Sequence, residues 1–142
     1  VIDTLPLVVA DSEKFFKDEG LDIDLVIFNS ALERDAAFTS RTLDGAFGDL
    51  VNFFLMIKIG AEPRLVCESY HTTDKTMFGL MASPGSSING VQDIKNEQIA
   101  ISRGTIIDFF LDQIAASKNL SPEKLNKLEV KAIPVRYQML IS

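Results

Sequence analysis

Ser102-Arg103-Gly104-Thr105 is the stretch of the chain best equipped for chemistry. It follows the apolar run Gln98-Ile99-Ala100-Ile101 and precedes a helical pattern, so it reads as a strand-to-helix turn. Gly104 lets the backbone come close to a ligand. Ser102 and Thr105 supply hydroxyls, and the N–H groups of the following helix favour negative charge. Arg103 offers a planar fork for a carboxylate, sulfonate or phosphate. The same four residues would serve equally as an ordinary helix cap with Arg103 in solvent, and residue types alone leave both readings open. The turn is neither a P-loop nor a dinucleotide Gly-x-Gly-x-x-Gly turn.

Five further loops likewise follow a strand-like run. They are Asp3-Thr4-Leu5, Asn29-Ser30, Gly48-Asp49, Ser69-Tyr70-His71 and Arg136-Tyr137. In parallel α/β sheets such loops gather at the carboxyl ends of the strands, where ligands bind. Together they supply hydroxyls, amides, two arginines and two aromatic rings, which suits a small polar or anionic ligand with a flat or apolar part. Asp44 reads more simply as a turn residue than as one of a pair of acids, whereas Asp49 and Asp3, at strand ends, fit a helix cap and a ligand contact alike. His71 has no fixed Ser or Cys partner that would mark it as a general base. Cys67, inside an apolar run, reads as a buried, inert thiol. With one Cys and one His the chain has no clustered ligand set for a structural metal, and nothing in it points to a cofactor.

The 142 residues carry 14 Lys+Arg and 20 Asp+Glu, a net charge of −6. That argues against a general nucleic-acid binder, which needs a basic face. Hydrophobic residues make up 46% and charged ones 24%, as in a packed globular chain and unlike a disordered one. No apolar run is long enough to cross a bilayer. The chain opens on Val1-Ile2 as if inside a strand and stops at Ser142 without a helix stop signal, so it reads as a fragment.

The elements that must position these loops alternate. A helix is expected from Pro6 to about Glu19, ended by Gly20, then a strand over 21–28. Ser30 should cap a helix over 31–40. A short strand over 44–49 and a nearly all-apolar, hence buried, helix over 50–59 follow. Strands are expected over 64–70 and 77–82, with a turn-rich break at Ser83-Pro84-Gly85-Ser86-Ser87. A second series has a strand over 98–102 and an amphipathic helix over 106–118 that buries Ile107, Phe110, Leu111 and Ile114. Next come a short helix capped by Ser121, a strand over 128–135 and a helix from Arg136. This is an α/β pattern with parallel sheets.

The order of the pieces resembles a known family. Leu5-Pro6-Leu7-Val8-Val9-Ala10, then Phe15-Phe16-Lys17-Asp18-Glu19-Gly20-Leu21-Asp22-Ile23, resembles the opening of the substrate-binding proteins of bacterial ABC importers, in the nitrate/sulfonate/taurine and thiamine-precursor-like group. Leu43-Asp44-Gly45-Ala46-Phe47-Gly48-Asp49 is similar to that group's next segment. Val91-Gln92-Asp93-Ile94-Lys95 with Ile99-Ala100-Ile101-Ser102-Arg103-Gly104-Thr105 is similar to its entry to the second lobe.

The resemblance implies a type 2 periplasmic-binding-protein-like fold of two parallel-sheet βα lobes. Lobe one (1–82) would be incomplete, and 83–142 would be the start of lobe two, truncated within it. It implies solute capture and not catalysis, with delivery to a membrane permease, in a periplasmic protein or an extracellular lipoprotein. The implied ligand positions are Asp3, Thr4, Leu5, Asn29, Ser30, Gly48, Asp49, Ser69, Tyr70, Ser102, Arg103, Gly104, Thr105 and Arg136. A truncated chain would expose apolar surface, so a dimer or domain swap is also expected. Two rivals share the fold: enzymes acting on pyrimidine or menaquinone precursors, and the effector-sensing domain of a transcription regulator.

Overall fold

The computed structural model describes residues 2–69, 78–94 and 96–142. The chain forms two compact units, Val1–Ile27 with Arg64–Met77, and Phe28–Pro63 with Phe78–Ser142.

In the first unit a 3₁₀ turn at Ile2–Thr4 leads into α1 (Leu5–Ser12), with Pro6 in the first turn, where its missing N–H costs nothing. The single helix expected to reach Glu19 is broken. Ser12 Oγ donates to the Val9 carbonyl at 3.1 Å, and Lys14 adopts a left-handed backbone at φ 64° before α2 (Phe15–Asp18). Asp11 and Ser12 propagate a helix poorly because their short polar side chains compete for backbone bonds. Gly20, at φ 70°, closes α2 as expected: Gly20 N–H donates to Lys17 O at 3.0 Å and Leu21 N–H to Phe16 O at 2.8 Å.

The strands expected over 21–28, 44–49, 64–70 and 77–82 do not form among the described residues of those stretches. Tyr70 to Met77 lie outside the described residues. An alternating or apolar run encodes a strand only if a second strand accepts its backbone bonds. Ile27 and Val66 are 91% and 90% exposed, so among the described residues no neighbouring layer covers them. Cys67 is exposed for the same reason and is not the buried thiol expected.

The second unit contains α3 (Ala31–Thr39), α4 (Leu50–Lys58), β1 (Gln98–Ile101), α5 (Ile106–Ser117), β2 (Asn126–Glu129) and α6 (Ile133–Ile141). β1 and β2 pair in parallel, Gln98 opposite Asn126 and Ile101 opposite Glu129, with α5 as the crossover. The parallel α/β pattern is therefore present as one β–α–β unit. β2 starts and ends earlier than the expected 128–135, because a strand lasts only as long as its partner. The last bond runs from Val130 N–H to Ile101 O at 2.7 Å. The chain is then free to turn, and α6 starts at Ile133 instead of Arg136, with Pro134 in its first turn.

Ile94, Ile99, Ile101 and Leu111 form the core, packed by Ile88, Val91, Ile107 and Leu125. On α5 the most buried positions are Leu111 and Ala115, four apart on one face. Phe110 instead meets Phe78, ring centroids 5.1 Å apart. α4 is not buried all round: Leu50, Phe54 and Ile57 are exposed, and its buried residues are Met56 and the polar Asn52.

Candidate functional site

The expected site residues fall into three places. Asp3, Thr4, Leu5 and Ser69 belong to the first unit, Asp3 and Thr4 in the 3₁₀ turn and Ser69 exposed. Tyr70 lies outside the described residues. The rest belong to the second unit, in two polar clusters at helix starts.

The first cluster joins α3 and α4. Ser30 caps α3, its hydroxyl accepting from Glu33 N–H at 3.3 Å, and Asp49 caps α4, accepting from Asn52 N–H at 3.0 Å. Asn29 beside the first cap and Gly48 beside the second are exposed. Arg34 donates to Asp35 Oδ1 through Nε (2.8 Å) and Nη2 (2.7 Å), and Asn52 Nδ2 donates to Asp35 Oδ2 at 2.6 Å. Burial pushes the Asp35 carboxyl above its ordinary range; Arg34 counters this through its bonds and charge, and Asp49 adds to it. Asn52 is 2% exposed, and its Oδ1 meets no donor among the described residues.

The second cluster sits at the carboxyl end of β1. Gly104, at φ 67°, turns the chain into α5, and Thr105 caps it, accepting from Ile107 N–H at 3.3 Å and donating to Ser102 O at 2.7 Å. Ser102 and Thr105 are both buried. Ser102 Oγ donates to Lys131 O at 3.2 Å and accepts from Arg136 Nη1 at 3.2 Å. Arg136 is half-buried in the first turn of α6. Burial lowers its pKa, and the Glu129 charge works against that.

Arg103 is held otherwise. Its backbone N–H donates to Glu129 Oε2 at 3.0 Å, its Nη2 donates to Lys127 O at 3.1 Å, and its Nε lies 3.9 Å from Glu129 Oε2. Gly104 N–H donates to Asp108 Oδ2 at 3.1 Å. Asp108 and Asp112 both accept from Lys127 Nζ, at 2.6 and 2.5 Å. Burial would raise the Asp108 carboxyl, but the bonds from Lys127 and Gly104 N–H, with the charges of Lys127 and Arg103, bring it below its ordinary range. Burial would lower Lys127, and the two carboxylates raise it instead.

Geometry thus joins Ser102, Thr105 and Arg136, and links Arg103 to Glu129. Sequence reasoning missed Arg34, Asp35, Asn52, Lys127, Asp108 and Glu129. One signal was available: Asn52 is a lone amide inside the apolar run Leu50–Lys58, and a polar residue on the inward face needs a partner. The pairing of Glu129 with Arg103, 26 positions apart, carried no signal.

A groove with a cavity volume of about 840 Å³ lies elsewhere, lined by Phe38, Arg41, Leu43, Asp44, Ile59 and Glu62 among others. It is at the C-terminal ends of α3 and α4, away from the caps at Ser30 and Asp49, and holds none of the expected ligand residues.

No helix among the described residues is long and apolar enough to cross a membrane, and no metal-binding group of three or more His, Cys, Asp or Glu occurs among them. No curated protein and no solved structure matches the chain. The family model described as NMT1/THI5 like matches residues 2–140, and the chain therefore belongs to that family, the nitrate/sulfonate/taurine and thiamine-precursor periplasmic binding proteins.

Proposed function

We propose that this chain is the solute-binding component of an ABC-type importer, taking up a small polar or anionic ligand and passing it to a membrane permease. The family match over nearly the whole chain carries this reading. The half-buried Arg136, with its guanidinium on the Ser102 hydroxyl at the carboxyl end of β1, supports the anionic preference. A sulfonate, nitrate or carboxylate would take bonds from the other N–H groups of the Arg136 guanidinium, which its bond to Ser102 Oγ orients; a pyrimidine-like ring would use the same donors on its carbonyl oxygens. Two lobes, 1–82 and 83–142, would close on it by hinge motion. Asp3, Thr4, Leu5, Asn29, Ser30, Gly48, Asp49, Ser69 and Tyr70 would serve from lobe one, and Ser102 to Thr105 and Arg136 from lobe two. The site of action would be the periplasm, or the outer face of the membrane through a lipid anchor.

A thermal-shift screen of alkanesulfonates, taurine, nitrate, carboxylates, pyrimidines and flavins tests this. A ligand at 100 times its Kd stabilises by about 2.7 kcal/mol, visible as a rise in Tm. A hit that is recovered unchanged supports capture. Conversion of the hit to a product would move the chain to the catalytic side of the family, where the THI5 members stand.

A further inference from the structure

Glu129 stands at the end of β2, opposite Ile101 and thus one residue from Ser102 in the ladder. Its Oε2 accepts the Arg103 backbone N–H at 3.0 Å and lies 3.9 Å from Arg103 Nε. Ser102, the neighbour of Arg103, holds the Arg136 guanidinium. One carboxylate therefore shares the end of this β–α–β unit with both arginines expected to receive an anion. The Glu129 charge also reaches Arg136, where it favours the cationic form. A second carboxylate, Asp108, occupies the Gly104 N–H at the start of α5. Two backbone donors of the turn ahead of α5, Arg103 N–H and Gly104 N–H, are thus already engaged by the chain's own acids.

We propose that Glu129 is a specificity-determining residue: a built-in counter-anion that engages Arg103 and lowers the affinity of the site for simple anions relative to neutral ligands. This rests on the solute-binding reading given above. An anion arriving at Arg136 and Ser102 meets the Glu129 carboxylate as well as the guanidinium, and must compete with it for Arg103. A neutral ligand of the same shape meets no such opposition. The affinity of the site for an anion is thus lower than its two arginines alone would give.

The test compares methanesulfonate with its neutral counterpart dimethyl sulfone by calorimetric titration of the 142-residue chain. Glu129→Gln removes the charge but keeps a side-chain oxygen that can accept the Arg103 N–H. Methanesulfonate should bind this variant about threefold to tenfold more tightly than wild type, and dimethyl sulfone within about twofold. A purely structural role for Glu129 would weaken both ligands together. Methanesulfonate binding that Arg136→Ala abolishes but Glu129→Gln fails to strengthen overturns the role of Glu129 and leaves the site reading standing. Binding to neither protein overturns the site reading, and the inference with it. A second measurement uses the unmodified chain, so it holds even where the variant does not fold. Saturation with methanesulfonate should shift the Arg103 backbone amide proton as Glu129 is drawn from it, and an unmoved amide overturns the competition.

Discussion

Arg136 Nη1 donates to Ser102 Oγ across 3.2 Å, and Ser102 Oγ donates onward to Lys131 O at the same distance. The relay ties the end of β1 to the segment between β2 and α6 and to the first turn of α6. A cation held this way in a half-buried position is oriented before any ligand arrives, which lowers the entropy cost of binding.

Arg136→Ala should therefore weaken an anionic hit from the screen by about tenfold or more, the loss of one charge-assisted bond pair. Arg136→Lys should recover little of it, because an ammonium does not present the planar fork. Arg103→Ala should weaken the anion too, by less than Arg136→Ala, since the Arg103 side chain is 57% exposed and already engaged by Lys127 O and Glu129. Calorimetric titration of the three variants checks the order, and equal losses at Arg103 and Arg136 would refute it.

The Lys127 side chain is 10% exposed, and its ammonium is shared by Asp108 and Asp112. Lys127→Met should cost about 2–3 kcal/mol, because it leaves two carboxylates facing each other in a partly buried place. The pH dependence has two limbs. Asp108 is depressed in the folded chain, so its contribution is present above the unfolded carboxyl range and is lost as pH falls through the folded value. Lys127 is raised, so its contribution is present below the unfolded lysine range and is lost as pH rises through the folded value. Urea unfolding across pH should show the gap between wild type and variant widest near neutrality. A gap that stays constant down to the acid limb would refute the Asp108 assignment.

Asp35 has the opposite sign. Burial raises its carboxyl, so the folded chain binds that proton more tightly than the unfolded chain does. Against Asp35→Asn, the wild type should gain stability as pH falls through the folded pKa towards the unfolded one. Asp49→Asn should bring the Asp35 carboxyl down, because one of the charges raising it is gone; a ¹³C carboxyl titration reads this directly. Asp35→Ala should cost about 2–3 kcal/mol at neutral pH, since it leaves Arg34 and the Asn52 amide without their acceptor.

Thr105 both caps α5 and donates to Ser102 O from a buried position. Thr105→Ala should cost about 1–2 kcal/mol, and Thr105→Ser should recover most of it because the hydroxyl makes both bonds. Ser30→Ala removes a more exposed cap, bonded at 3.3 Å, and should cost about 1 kcal/mol or less. Chemical unfolding of the variants measures the difference.

Local signals in the sequence were sufficient for the helix caps at Ser30, Asp49 and Thr105, the stop at Gly20, the turn at Gly104 and the β–α–β order of residues 98–129. Each depends on a side chain or a φ angle acting on its own few neighbours, and such interactions are encoded within about four residues. Tertiary structure decided the rest. The runs 21–28 and 64–69 have strand composition and no strand partner among the described residues, and the pattern of α4 marks Asn52 as needing a partner but could not name Asp35 as that partner. The site followed the same division. The sequence placed Ser102, Arg103 and Arg136 at loop ends, but their partners, Lys131 O, Glu129 and Lys127 O, come from other parts of the chain. Which charge meets which depends on the register of β1 against β2, a contact between residues 28 positions apart, and no local propensity specifies it.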